Sequence, residues 1–505
     1  MRITSKKVPT IAAAACFLLL SGGCTVGPKY QAPATPPPAA ANYKESSVNF
    51  HDSDGWKVAS PQDVIPRNKW WELFNDPDLN ALEEQLNINN QNIKQYFQNL
   101  MQARALIAQA HSQYWPSVTT SPSWTRQKSS GTLTNSTQAN TGRTSTLMAF
   151  PVDVSWVPDF WGKIRNQVRE YQYSAQVSAA DLEVERLTEQ ASLAQSYFEI
   201  RGQDALEKIL RDIVAADQKS LELTQGLYDT GVDDYISVVQ ARTALQSAQA
   251  AAINVGVARA QYEHAIAMLL GRLATDFSLP VRPLLTAPPP IPVGVPSQLL
   301  ERRPDVAAAE RTLAKDNAVI GIGYAAFFPN VTLSAAGGVE SSSFGQWFSW
   351  PSRFFSIGPS VSQTIFDGGL YRAELHQYTA IYNADLAAYR QTVLTAFQQV
   401  EDYLAAVRIY SQEIQREQEA VKSAQEYLDL ELPRYQTGVD PYLSVLTAQN
   451  TVLSDQQILV TLQIEQMVSA VSLVEAVGGG WDRSQLPTPA QVSHKPSASD
   501  YKREK

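Results

Sequence analysis

In the second half of the chain, apolar and small residues recur at alternating steps of three and four. They run Leu375, Tyr378, Tyr382, Leu386, Tyr389, Val393, Ala396, Val400, Tyr403, Val407, Tyr410 and Ile414. This is a 3.5-residue period held for over five heptads, the seam of a coiled coil. The first half carries a less regular version at Leu187, Ala191, Ala194 and Phe198, and no proline interrupts 162–230 or 369–432. At ~1.5 Å per residue, either stretch reaches about 100 Å as a helix, longer than any globular core. A cytoskeletal type of coiled coil would explain these helices, but it would leave other segments without a purpose.

Those segments alternate with period two. Phe355, Ile357, Pro359, Val361 and Ile365 share one face of 354–366, and Ser356, Gly358, Ser360, Ser362 and Thr364 share the other. Met148, Phe150, Val152, Val154 and Trp156 alternate with polar or small partners, as do Val331, Leu333, Ala335 and Val339; 118–124 is a fourth, weaker candidate. Such segments present one apolar and one polar face. Lengths near ten residues suit tilted strands crossing a bilayer, and Trp115, Trp124, Trp156, Trp347 and Trp350 lie near their ends as an aromatic girdle would. A soluble β-sandwich gives the same alternation, so the context has to decide. Four strands cannot close a barrel, and in lipid an open sheet edge costs several kcal/mol per unpaired group. Strands that span must therefore be pooled from several chains, with the coiled coils packed into a shared tube.

The body is duplicated. Tyr228-Asp-Thr-Gly231-Val-Asp233-Asp-Tyr235 returns as Tyr435-Gln-Thr-Gly438-Val-Asp440-Pro-Tyr442, 207 positions later. Tyr114-Trp-Pro and Phe160-Trp-Gly162 find counterparts in Phe327-Phe-Pro and Phe366-Asp-Gly368 at nearly the same spacing. Each half (78–279 and 298–480) reads as a helix, a β-hairpin and two long helices. The connector 280–297 is Pro-rich, with seven prolines between Pro280 and Pro296, and is expected to be extended. The segments 24–77 and 481–505 are expected to be an extended N-terminal stretch and a disordered tail.

The N-terminus changes how the charge and cysteine counts are read. Arg2, Lys6 and Lys7 precede an apolar run from Ile11 to Leu20, then Ser21, Gly22, Gly23 and Cys24, the layout of a secretory signal. A cysteine after small residues resembles a bacterial lipobox, which predicts cleavage after residue 23 and acylation of Cys24. Ser21 stands where such boxes usually carry leucine, and a plain signal peptide with an incidental cysteine is the alternative. Cleavage takes the chain from −9 to about −12 and removes Cys16, leaving no free thiol if Cys24 is acylated. An acidic chain without a basic stripe is a poor nucleic-acid binder. No run of 18 apolar residues exists, which argues against a transmembrane helix but not against strands.

Together these residues resemble the outer-membrane factor family, the TolC-like channels, in its NodT-type lipoprotein branch. The most specific match is Leu300-Glu-Arg-Arg-Pro-Asp305-Val, continuing through Ala309-Glu310, Asn317-Ala and Ile320-Gly321 to Phe328-Pro329. Cys24-Thr-Val-Gly-Pro-Lys-Tyr30, Trp70-Trp-Glu-Leu-Phe74 with Asp76-Pro77, and Asp159-Phe-Trp-Gly162 add three more. The resemblance implies a mixed α/β membrane protein: a homotrimer whose twelve-stranded β-barrel, four strands per chain, continues into a long α-helical tunnel in the periplasm. It implies a passive exit duct for small toxic compounds or drugs. The partners would be a periplasmic adaptor (a membrane fusion protein), an inner-membrane transporter of the RND type or similar, and outer-membrane lipid. The outer channel of a type I protein secretion system is the alternative within transport, and a lipid-anchored periplasmic coiled-coil scaffold is the alternative outside it.

The repeated segments fall between the two long helices of each half, at the far end of the tube. Gly231 and Gly438 suit the positive φ of a tight turn. Tyr228, Tyr235, Tyr435 and Tyr442 are expected to pack across the turns, with Val238 and Val445 opening the returning helices. By resemblance these tips are both the adaptor-docking surface and the closable aperture. Symmetry would turn Asp233 and Asp440 into carboxylate rings that repel. Several family members place an acidic gate residue where this chain has Thr447, which leaves Asp440 as the gate candidate. Pro304 and Asp305, after Arg302 and Arg303, read as helix-start chemistry. The histidines, at 51, 111, 264, 376 and 494, have no metal-ligand spacing, and no nucleophile elbow, P-loop or dinucleotide fingerprint appears. The expectation is a protein that is not an enzyme and needs no cofactor or metal.

Overall fold

The computed structural model describes residues 26–33, 44–47, 69–128, 130, 144–283, 287–291 and 301–494. Residues 1–25, with the expected leader and Cys24, and the tail after residue 494 lie outside the described residues. The first half comprises helices α1 (Pro77–Asn89) and α2 (Gln91–Ser112) and strands β1 (Ser117–Thr120), β2 (Ser123–Lys128) and β3 (Thr144–Trp156). Helices α3 (Lys163–Asp229) and α4 (Tyr235–Leu269) complete it. The second half has α5 (Pro304–Ala325), β4 (Asn330–Ser341), β5 (Arg353–Ser362), α6 (Leu370–Gln436) and α7 (Tyr442–Ala476).

Corresponding helices match residue for residue in length: 22 in α2 and α5, 67 in α3 and α6, 35 in α4 and α7. At ~1.5 Å per residue, α3 and α6 each run about 100 Å. Both begin at a glycine in the left-handed region, Gly162 (φ 79°) and Gly369 (φ 96°). A nearby aspartate holds each first turn. Asp159 accepts from the amides of Ile164 and Arg165, and Asp367 from those of Gly369 and Tyr371. Carboxylates at a helix N-terminus are favoured by the exposed amides and the dipole.

The strands form one antiparallel sheet in the order β1/β2, β3, β4, β5. The strand expected at 118–124 is divided: β1 and β2 both pair with β3 in a single register, Ser117 opposite Ser155 and Ser123 opposite Ala149. The break falls at Ser121-Pro122, beside Pro151 on β3; proline donates no ladder hydrogen bond. The sheet is therefore four strands wide. β5 also stops at Ser362, so Ile365 and Phe366 lie beyond the strand expected to contain them.

Cross-strand pairs show the two faces directly. Val118, Val154, Ala335 and Ile357 form one row across the sheet, and Val152, Gly337 and Phe355 another. On the opposite face, Thr119, Asp153, Ala336 and Ser356 form a row, as do Ser117, Ser155, Ser334 and Gly358. Phe355 and Ile357 are 85% and 81% exposed, an apolar face turned outward from a single chain.

The heptad seam is internal. Tyr389, Val393, Ala396, Val400, Val407 and Ile414 are buried on α6, as are Leu187, Ala191, Ala194 and Phe198 on α3. All of these but Ile414 join one core with Trp70, Trp71, Leu79, Leu86 and Met467. Each fully buried large side chain contributes ~1.5–3 kcal/mol. Trp70 donates to Gln190 at 3.1 Å and Tyr197 to Asp76 at 2.7 Å, so the aromatic groups of this belt also carry polar ties. Among the described residues only α7 is long and apolar enough to cross a membrane, and most of that apolar stretch is buried against the other helices.

Two local readings change. Pro304 is the first residue of α5 as expected, but Arg303 does more than start a helix. Its guanidinium grips Asp305 at 2.7 and 3.0 Å, and reaches Gln399 on α6 and the Ala476 carbonyl ending α7, both at 2.9 Å. A Cβ on Gly478 (φ 95°) would lie 2.0 Å from the Arg302 carbonyl oxygen, so this junction needs glycine both for space and for conformation. Nor is the chain beyond Trp481 all disordered. The turn α8 (Pro489–Val492) is held by a capping box, and Val492 is buried with Ile107 and Ala175. Gln176 donates to the Pro487 carbonyl at 2.7 Å and Arg104 to that of Gln491 at 3.0 Å.

Candidate functional site

The two inter-helix turns share a backbone. Gly231 (φ 75°) and Gly438 (φ 71°) each follow a long helix in the left-handed region. The Val232 amide reaches back to the Leu227 carbonyl and that of Val439 to Arg434, both at 2.9 Å. These are the six-to-one bonds of a Schellman turn, which satisfies carbonyls a helix end would leave free. The tyrosines pack across each turn as expected, with ring centroids 5.5 Å apart for Tyr228 and Tyr235 and 5.4 Å for Tyr435 and Tyr442. Val238 and Val445 are fully buried near the starts of α4 and α7.

The surroundings of the two turns differ. Tyr228 and Tyr235 are 41% and 51% exposed, whereas Tyr435 and Tyr442 are 3% and 1% exposed. The second pair sits in a cluster with Ala241 and Val445, covered by leucines of both halves. Burial pushes the Tyr442 hydroxyl up to about 12. Tyr435 is raised by burial and by its bond to Asp233.

The two aspartates are not equivalent either. Asp233 accepts from the Tyr435 hydroxyl at 2.7 Å and from Ser237 at 3.0 Å, joining the first turn to the second. Asp440 is paired with Arg434 on its own turn, and this contact holds its carboxyl below the usual range. The Thr447 hydroxyl donates to the Leu443 carbonyl one turn back, at 2.8 Å.

Three participants carried no signal in the repeated motif. Arg434 occupies the position equivalent to Leu227. Asp217, buried on α3, is pushed by desolvation up to about 6 and lies near enough to Tyr442 to raise it. Gln449 on α7 donates to Ser220 on α3 at 3.1 Å. An alignment of the two halves exposes Arg434 and Asp217, because their equivalents are Leu227 and Ala424. Among the described residues no cluster of three His, Cys, Asp or Glu is placed to hold a metal.

Comparison with known proteins accords with this architecture. The family model described as outer membrane efflux protein matches residues 82–272 and 295–479. The chain is 30% identical to the antibiotic efflux pump outer membrane protein ArpC of Pseudomonas putida, over 93% of this chain and 95% of that one. It is 29% identical to the toluene efflux pump outer membrane protein TtgC of the same species, with the same coverage. The solved structure of the outer-membrane channel OprN superposes with a TM-score of 0.82 at 29% identity, over 91% of this chain and 100% of that one. A sheet with one outward apolar face, long paired helices and these likenesses agree: the chain belongs to the outer membrane efflux protein family, as an outer-membrane exit channel for an efflux pump.

Proposed function

We propose that three copies close their four-strand sheets into a twelve-stranded barrel, with Cys24 acylated in the membrane and the long helices forming a periplasmic tunnel. The observation that carries this reading is the sheet itself. It has an apolar face, a polar face and two unpaired edges, and lipid tolerates such edges only when neighbouring copies pair them. The two turns of each chain meet an adaptor and close the aperture, and the adaptor joins the duct to an inner-membrane transporter. The cargo is small toxic molecules, as the names of the antibiotic and toluene relatives suggest. At the aperture, the Asp233–Tyr435 bond latches one hairpin to the other, and Arg434 neutralises Asp440. Asp440 therefore exerts its charge on the lumen only when Arg434 swings away.

The test pairs two measurements. Outer-membrane fractions should yield a heat-modifiable trimer that conducts ions in a planar bilayer, and deleting the gene should raise susceptibility to a panel of toxic compounds. A monomer without conductance would exclude the channel and leave the scaffold reading.

A further inference from the structure

The end of the sheet farthest from the helices has an unusual charge. Between Trp124 and Met148 the sequence carries Arg126, Lys128 and Arg143 and no acidic residue; between Ser341 and Ser362 it carries Arg353 and none. In a chain of net charge −9 these two stretches hold no carboxylate; Glu340, just before the second, pairs with Ala149 and so belongs to the polar face. Side-chain direction alternates along a strand, so register decides where these charges point. Trp124 pairs with Met148 and Arg126 with Thr146, which places Trp124, Arg126 and Lys128 in line with Phe150 and Val152 on the apolar face. Arg353 pairs with Val339, itself opposite Phe150, and belongs to the same face as Phe355 and Ile357.

Arg126, Lys128 and Arg353 are exposed, and none of them forms an ion pair with a described residue. Arg353 stacks on Trp350 with its guanidinium carbon 3.5 Å from the ring centroid, amid the exposed rings of Phe344, Phe348 and Trp350. Such a stack fixes the cation at the membrane surface, where aromatic rings prefer to lie. Arg126 and Lys128 lie on one edge of the sheet and Arg353 on the other. Closing the barrel brings the Arg353 edge of one copy beside the Arg126 edge of the next; within one chain Arg353 lies level with Phe150 and Arg126 with Thr146, four residues nearer the tip. Cations gathered there, facing lipid and lacking acidic partners, need an anion.

We propose that each seam between copies binds a phosphate-bearing lipid headgroup of the outer leaflet, held by Arg126 and Lys128 of one copy and Arg353 of its neighbour. The proposal rests on the barrel reading above. Arg supplies a planar fork suited to phosphate and Lys a point charge. The polar face, which lines the duct, does not take part, so the site acts on the barrel's surroundings and not on the cargo.

The test uses the full-length trimer in nanodiscs, with lipid retention read by native mass spectrometry. The probes are diphosphoryl lipid A, its dephosphorylated form, phosphatidylglycerol and phosphatidylethanolamine. Diphosphoryl lipid A should be retained at least tenfold more than the dephosphorylated form. The triple variant Arg126→Gln, Lys128→Gln, Arg353→Gln should lose that preference, and Arg353→Lys alone should keep most of it. Phosphatidylglycerol retained as well as lipid A would support phosphate recognition and assign the site to phospholipid. Equal retention of phosphorylated and dephosphorylated lipid A by the wild-type trimer would overturn the proposal, whatever the variants do. Trimer mass and conductance are recorded on the same samples; if both persist without discrimination, only the lipid site fails.

Discussion

The two inter-helix turns began as copies and now carry different loads. Their backbones still agree, glycine for glycine and hydrogen bond for hydrogen bond. Their side chains do not: the first tyrosine pair faces solvent and the second is sealed between the halves. The cause lies in a few replaced neighbours. Where the first half has Leu227, the second has Arg434, so Asp440 finds a cation on its own turn and Asp233 must bond Tyr435 in the other half. Where the first half has Asp217, the second has the small buried Ala424. A turn can thus be inherited as a backbone while its chemistry is reassigned from outside.

That contrast can be broken in stages. Tyr442→Ala empties a fully buried site and should cost ~3–5 kcal/mol. Tyr235→Ala, half-exposed, should stay within about 0.5 kcal/mol. Thermal unfolding of the two purified variants compares them; equal losses would mean the assembled protein buries both pairs. Tyr435→Phe removes the donor to a charged acceptor and should cost ~1.5–3 kcal/mol. It should also raise single-channel conductance, whereas Tyr228→Phe should do neither. Conductance identical to wild type would remove the latch. Gly231→Ala and Gly438→Ala should each cost ~1–2 kcal/mol and by equal amounts. A Cβ meets nothing within 4 Å at either site, so the penalty is conformational alone.

A smaller effect concerns pH. The folded value of Asp217 is near 6, above an unfolded value of ~3.9. Between these pH values the folded state holds more protons, so stability should fall as pH rises from about 4 to about 6. Asp217→Asn should flatten that slope in unfolding measured across the range; an unchanged slope would assign it to another group. Asp440→Asn should change stability least, because its partner is a solvent-exposed arginine. Its readout is cation selectivity in a planar bilayer, and unchanged selectivity would end its candidacy as a gate.

Periodic features were the most legible. The seam from Leu375 to Ile414 and the alternation in β3, β4 and β5 are each repeated many times, so local noise cannot hide them. Single residues were harder to read. Pro122 divides the first strand, yet the pairing with β3 survives the break because both pieces keep one register. The grip of Arg303 on Gln399 and the Ala476 carbonyl joins positions 96 and 173 residues apart, and no local pattern records such a contact. The order of 482–494 depends likewise on Ile107 and Ala175 being in place to cover Val492. At the turns, the glycines and tyrosines were visible as a motif. The asymmetry between them was visible only in what stands around the motif.

The matched lengths of the long helices have a mechanical consequence. Each pair returns after 67 residues and comes back over 35, in both halves. Both hairpins of a chain therefore end at the same depth, and in a symmetric assembly all the tips share one plane, a flat rim. An insertion or deletion in one helix alone would tilt that rim and carry its side chains off the seam by about 100° per residue. Length can drift only when both halves drift together. The duplication thus works as a gauge, each half fixing how long the other can be.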